Sequence, residues 1–233
     1  MGEDNIMSGT LYGVGVGPGD PRQMTLLAVE TIARCPVIAV PAVGREHAIS
    51  YQIASGAVKG LEEKDCLNLS TPMTKDPQVL AQSYELAAGQ IVGQLERGRD
   101  VAYLTLGDPT IYSTYIYIHR LVREKGYPVQ IINGIPSFCA VAARMGDSLA
   151  DRSEQLHIIP SNYDIEAALD YPGSKVFMKA ASKLSTVKQT LKERKLAGVM
   201  VENCGFPDEH IYEGTETMPE KAGYYTTVLV KEG

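Results

Sequence analysis

Short apolar runs alternate along this chain with longer segments whose apolar residues recur at helical spacing. Residues 10–14 read as a buried strand, Leu26, Val29 and Ala33 as a helical stripe, and Val37–Val40 as a second strand. A helix near 47–58 and a weaker strand near 65–69 follow. Asp76 then precedes Pro77, an N-cap with proline at the first helical position, and Leu80, Tyr84, Ala87, Ile91 and Leu95 repeat on one face as far as Gly98. Residues 101–106 are apolar without interruption, as expected of a strand covered on both faces of a parallel sheet. Tyr112, Tyr115, Ile116, His119 and Val122 mark the next helix, where His119 reads as a core histidine and not as a ligand. The strand at 127–132 runs into Asn133-Gly134-Ile135-Pro136, a turn-rich break.

Beyond that break the pattern predicts a helix at 137–146, strands near 156–160, 174–178, 198–203, 209–214 and 224–230, and helices near 164–170 and 183–195. The connections between the last three strands are too short for a crossover helix, so part of this region must be antiparallel. The expected fold class is therefore α/β, with two α/β domains: the first mostly parallel, the second with a mixed sheet. The expected boundaries are an unstructured lead at 1–8, a first domain at 9–133 and a second at 134–233.

Composition narrows the function. With 233 residues, 44% hydrophobic and 21% charged, the chain can bury a real core, and disorder, collagen and coiled coil are excluded. A net charge of −6 argues against nucleic acid or an anionic membrane as partner, so any anionic ligand must meet a local basic patch. No run approaches the length of a membrane span. Cys35, Cys66, Cys139 and Cys204 lie far apart, and the N-terminus has neither a basic nor an apolar signal region, which together read as cytoplasmic with reduced thiols. The four histidines show no ligand spacing, and no protein-bound metal is expected.

The chemistry concentrates in glycine-rich turns. Gly13-Val-Gly15-Val-Gly17-Pro18-Gly19-Asp20-Pro21 follows the first strand directly. A dinucleotide fingerprint would need a third glycine where Pro18 or Asp20 stands, and no Gly-Lys-Ser/Thr follows for a P-loop. A second turn, Leu106-Gly107-Asp108-Pro109-Thr110-Ile111, closes the strand at 101–106 with the same Gly-Asp-Pro tripeptide. In a parallel sheet both turns fall on the carboxyl edge, where open α/β sheets place ligands. Asp108 has two readings: an N-cap for the helix beginning near Thr110, or an acceptor for a ligand ammonium group. The two are compatible only if its oxygens divide the work.

GVGVGPGDP, YLTLGDPTIYST, NGIPSF and VENCGFPDE, in that order, resemble the tetrapyrrole methylase family, and the likeness spans residues 9–231. Within the family the sequence is most similar to the members that methylate C20 of precorrin-2 or cobalt-factor II. The resemblance implies S-adenosylmethionine as methyl donor, a tetrapyrrole substrate, a cleft between the two domains and a homodimer. Carried over by position, it implies donor contacts at Pro18, Leu106, Gly107, Asp108, Ile111, Pro136, Ser137, Met178 and Cys204. Some relatives carry Thr where this chain has Pro136, so Ser137 or the backbone must supply that hydrogen bond. Asp20, Tyr112 and Tyr115 are the candidates for assisting proton loss from the ring. Arg22, Arg45, Lys75, Arg144 and Lys179 are the candidate cations for a polycarboxylate substrate. Other activities open to the family are methylation at a different ring carbon or diphthamide synthesis, and a non-catalytic donor-binding module is a further alternative.

Overall fold

The structure is a computed structural model that describes residues 8–72, 74–160 and 163–231; residues 1–7 of the expected lead lie outside it. The chain divides into two compact units between Ile135 and Pro136.

The first unit carries β1 (Leu11–Gly15), α1 (Leu26–Arg34), β2 (Val37–Val40), α2 (Ile49–Ser55) and β3 (Asp65–Asn68), followed by α3 (Pro77–Leu95), β4 (Val101–Thr105), α4 (Tyr115–Glu124) and β5 (Val129–Ile132). Its five strands are all parallel, in the order β3-β2-β4-β1-β5. Full burial of β1, β2 and β4 explains why they read as unbroken apolar runs. β3 lies at the edge and alternates less cleanly.

One face of this sheet meets α3 and α4. Leu11, Val37, Ala39, Val101 and Tyr103 pack there against Ala87, Ala88, Ile91 and Leu95 of α3 and Tyr115, Ile118 and Val122 of α4. α3 starts where expected: the Asp76 side chain accepts from the Gln78 and Val79 amides, with Pro77 at the first helical position. Ile91 is fully buried in this layer, and its truncation to alanine costs about 2–5 kcal/mol.

Two helical stripes need correction. α1 buries Ala28, Thr31 and Ile32, while Leu26 is 81% exposed and Ala33 faces water, so the expected face is rotated. α4 begins at Tyr115 and not near Thr110; it buries Ile118 in place of Ile116, and Tyr112 precedes it in the connecting turn. His119 does lie in the core, with Nδ1 2.9 Å from the Tyr115 hydroxyl.

The second unit carries α5 (Ser137–Met145), β6 (Leu156–Pro160), α6 (Ile165–Leu169), β7 (Ser174–Met178), α7 (Leu184–Glu193), β8 (Gly198–Glu202), β9 (His210–Glu213) and β10 (Thr226–Val230). The sheet order is β6-β7-β10-β8-β9, parallel between β6 and β7 and antiparallel elsewhere. Ile165, Ala168 and Leu169 of α6 and Leu184, Val187 and Leu191 of α7 close over Phe177, Met200 and Val228.

Candidate functional site

In the first unit the two Gly-Asp-Pro turns are joined through their backbones. Gly17 and Gly107 form an antiparallel bridge, with the Gly107 amide 2.8 Å from the Gly17 carbonyl and the reverse bond at 3.3 Å. Both glycines have left-handed φ, +79° and +70°, which a side chain would strain. β1 lies between β4 and β5, so the end of β5 arrives at the same place. There Gly134 passes so close that a Cβ on it would lie 2.2 Å from the Gly107 carbonyl oxygen. A Cβ on Gly15 would lie 2.6 Å from the same oxygen. Three strand ends thus meet at backbone contact distance. Beside them the position of a Gly107 side chain is open, its nearest neighbour being the Ile135 carbonyl at 4.0 Å.

Asp108 ties this junction together. Its Oδ1 accepts from the Thr110 amide (2.7 Å) and hydroxyl (2.5 Å), and its Oδ2 from the Asn133 side chain (3.1 Å) and the Gly134 amide (3.0 Å). Burial works to raise this carboxyl's pKa, but the four hydrogen bonds outweigh it and hold the group below the ordinary aspartate value. Four donors fill the two lone pairs on each oxygen, which leaves no acceptor for a ligand ammonium group. Asp108 is not the N-cap of α4 either, since that helix starts seven residues later, at Tyr115. Asp108 therefore works as an anchor between loops.

The other sequence candidates of this unit fall into distinct settings. Pro18 is buried, Leu106 and Ile111 are half-buried, and together they give the edge an apolar character. The Asp20 carboxylate accepts from the Arg22 amide and guanidinium, which also raises the Arg22 pKa. Tyr115 cannot assist a reaction at the surface: it is fully buried, its ring lies over Gly13, and its hydroxyl meets His119 and the Gln130 carbonyl. Burial drives its phenol pKa upward. Tyr112 is 46% exposed and stands in the left-handed region at φ +47°. Arg45 donates to the Glu62 carbonyl and lies over the Tyr51 ring, and Lys75 is exposed ahead of α3.

In the second unit Met178 ends β7 and pairs with Thr227, while Glu202 ends β8 and pairs with Thr226. The ends of β7 and β8 therefore flank the start of β10 on one sheet edge. Cys204, just past β8, packs with Val201 on Ala140 and Val141 of α5. Pro136 and Ser137 open that helix, where Pro136 has no side chain with which to cap it. Arg144 pairs with Glu209 at 2.8 Å, and Glu209 also accepts from the Gly205 amide. Burial, then the nearby Glu209 charge, pushes the Cys204 thiol up to about 11, so it is no nucleophile. Lys179 follows β7 with φ +56° and lies 5.7 Å from the Tyr224 ring centroid.

Sequence reasoning missed Asn133, Thr110 and Gly15 as parts of the junction. The Asn-Gly pair after β5 carried a local signal, but its partner lies 25 residues away across the sheet. Among the described residues no group of three or more His, Cys, Asp and Glu side chains could hold a metal, and no helix is long and apolar enough to cross a membrane.

Comparison with known proteins follows the same outline. The family model for tetrapyrrole (corrin/porphyrin) methylases matches residues 10–219. A Methanocaldococcus jannaschii protein named "Probable cobalt-precorrin-2 C(20)-methyltransferase" is 35% identical over 88% of this chain and 86% of its own length. The cobalt-precorrin-2 C(20)-methyltransferase of Salmonella typhimurium is 28% identical over 97% of this chain and 98% of its own. A solved structure of a cobalt precorrin-4 methyltransferase superposes with TM-score 0.76 at 17% identity, covering 99% of this chain and 97% of that one. The Thermus thermophilus uroporphyrin-III C-methyltransferase complexed with S-adenosylhomocysteine superposes with TM-score 0.70 at 18% identity, covering 96% and 98%.

Proposed function

The chain belongs to the tetrapyrrole methylase family, and on that premise we propose that it is an S-adenosylmethionine-dependent C-methyltransferase of cobalamin biosynthesis, methylating C20 of cobalt-factor II or of cobalt-free precorrin-2. The observation that carries this reading is the 35% identity, over 88% of the chain, to a relative named for that reaction. Cobalt, where present, belongs to the substrate. The same reading makes the protein a cytoplasmic homodimer.

We assign donor contacts to Pro18, Leu106, Gly107, the Asp108 main chain and Ile111 in the first unit, and to Pro136, Ser137, Met178 and Cys204 in the second. The first-unit residues fit such a donor: an open space beside Gly107, apolar Leu106 and Ile111, and a backbone fixed by the Gly17–Gly107 bridge. Asp108 contributes by fixing the loop and not by meeting the ammonium group, because its oxygens are taken.

When bound, the donor supplies a methyl group on a sulfonium centre. The chain's task is to hold the two reactants in line and keep the site poor in water, which favours the dispersal of positive charge in the transition state. A rigid glycine junction and half-buried apolar side chains suit both. Asp20 is engaged by Arg22 and Tyr115 is buried in the core, so neither is assigned as a base, and the ring proton leaves to water. For the substrate carboxylates we propose Arg22, which pairs with Asp20 yet keeps its side chain 90% exposed, with the exposed Lys75 and Lys179. Arg45 and Arg144 are less open: Arg45 is half-buried and donates to the Glu62 carbonyl, and the Arg144 side chain is 49% exposed in its pair with Glu209.

Incubation with labelled S-adenosylmethionine and either cobalt-factor II or metal-free precorrin-2, followed by mass spectrometry, tests the reading. Label in the tetrapyrrole supports it; unlabelled ring under both conditions overturns it.

A further inference from the structure

The VENCGFPDE motif ends in Glu209, a carboxylate that the chemistry described above does not use. Its side chain is only 16% exposed, and both oxygens are engaged: Oε1 accepts from Arg144 Nε at 2.8 Å, and Oε2 from the Gly205 amide at 2.7 Å. Gly205 lies in the turn after β8, which is closed by its own main chain. Asn203 and Gly205 stand at φ +52° and +84°. The Phe206 amide donates to the Asn203 carbonyl at 3.0 Å, and the Glu209 amide to the Phe206 carbonyl at 3.1 Å. The Asn203 amide reaches the Tyr225 carbonyl at 2.9 Å, which seats the turn against the start of β10, and the Asn203 side chain donates to Asp208 at 2.7 Å. Glu209 then carries this closed turn across to α5.

The side of α5 that it meets is well defined. Ser137, Ala140, Val141 and Arg144 stand at i, i+3, i+4 and i+7, and so share one face of the helix. Ala140 and Val141 pack on Val201 and Cys204, and the pair with Glu209 follows at Arg144. Apolar contact is non-directional and leaves a helix free to slide or turn against its neighbour, whereas a charge-assisted hydrogen bond fixes both. Glu209 is also close to the thiol, since its charge adds to burial in raising Cys204 to about 11. We propose that Glu209 is a positioning residue for the methyl donor: by tying the turn after β8 to α5 it holds Cys204 and Ser137 in one fixed relation before the donor arrives. This rests on the functional reading above, which places donor contacts at Ser137 and Cys204, and adds the residue that sets them. Contacts held ready in this way spare the donor the cost of ordering them on binding.

Three variants probe the tie. Glu209→Ala removes both bonds, Glu209→Gln keeps one oxygen for the Gly205 amide while discharging the pair, and Arg144→Met cuts the link to α5 alone. Arg194→Met is the control, since it removes an ion pair with Asp170 between the ends of α6 and α7. Each is measured for melting temperature, donor affinity by calorimetry, and KM and kcat for the donor with the tetrapyrrole present. Glu209→Ala is expected to weaken donor binding about tenfold and to raise the donor KM in proportion, with kcat at saturating donor within about twofold of wild type. Glu209→Gln and Arg144→Met should each lose about threefold, and Arg194→Met should bind the donor as wild type does even where its melting temperature falls. Should Glu209→Ala fail to fold, the glutamine and Arg144 variants carry the same test. Donor affinity and KM unchanged in those two, or weakened equally by Arg194→Met, would show a purely structural carboxylate and overturn the positioning role alone. A wild type that binds no donor would overturn the functional reading and this role with it.

Discussion

Removing the Asp108 carboxylate tests whether it is an anchor or a ligand acceptor. In Asp108→Ala four donors lose their acceptor. Two of them, the Asn133 side chain and the Thr110 hydroxyl, sit on exposed residues and can turn to water. The amides of Thr110 and Gly134 are fixed by the main chain and cannot. At about 1–3 kcal/mol for each of the two donors stranded near a 6%-exposed position, the loss is about 2–6 kcal/mol, large against the 5–15 kcal/mol typical of a domain. Asp108→Asn keeps one oxygen, hence two of the four bonds, and turns an amide group against the other two donors; it should lose about half as much or somewhat more. Urea denaturation reads both.

The pH dependence gives a second handle on the same group. The folded-state pKa is lowered, so the stabilisation is present above the unfolded pKa of about 4 and is lost as the pH falls through the folded value. Wild type should therefore lose a component of stability on the acid side of about pH 4 that Asp108→Asn lacks. If both variants unfold within about 0.5 kcal/mol of wild type while donor affinity falls more than tenfold, Asp108 is a ligand acceptor and the anchoring argument fails.

Three further outcomes follow from the geometry. Gly134→Val should destabilise the first unit by about 3 kcal/mol or more, because its Cβ would meet the Gly107 carbonyl at 2.2 Å; a variant melting within a degree or two of wild type would contradict this. At pH 8 under native conditions a thiol reagent should modify exposed Cys139 first, with Cys204, pushed up to about 11, and Cys35, pushed up to about 12 by burial, protected until unfolding; mass spectrometry of labelled peptides gives the order. Asp76→Ala should cost about 1 kcal/mol, the loss of the α3 cap, with donor affinity unchanged in calorimetry.

How far the sequence reached can be seen element by element. α3 was legible because its signals are local: Asp76, Pro77 and a long apolar stripe. The second-unit strands were legible for the same reason, and β6 and β7 occupy the expected 156–160 and 174–178. α1 was misread because Leu26 and Leu27 are apolar yet exposed, and only the sheet position decides which face is buried. The pairing of two Gly-Asp-Pro turns pointed to a shared edge, and they are in fact bridged. The true partners of Asp108 were out of reach, because they depend on β5 lying beside β1, and strand order is not a local property. For the same reason Tyr115, which lies on the apolar stripe of α4, could still be named a candidate for proton loss: its burial follows from a glycine at position 13 on a neighbouring strand.

The most direct test of the account is the site of methyl transfer. Protein incubated with cobalt-factor II, or with metal-free precorrin-2, and a methyl donor carrying a carbon-13 label should yield a product with one labelled methyl, located by nuclear magnetic resonance on the bridging carbon C20. A labelled methyl on any other ring carbon, or no transfer to either ring by protein that binds the donor, would contradict it.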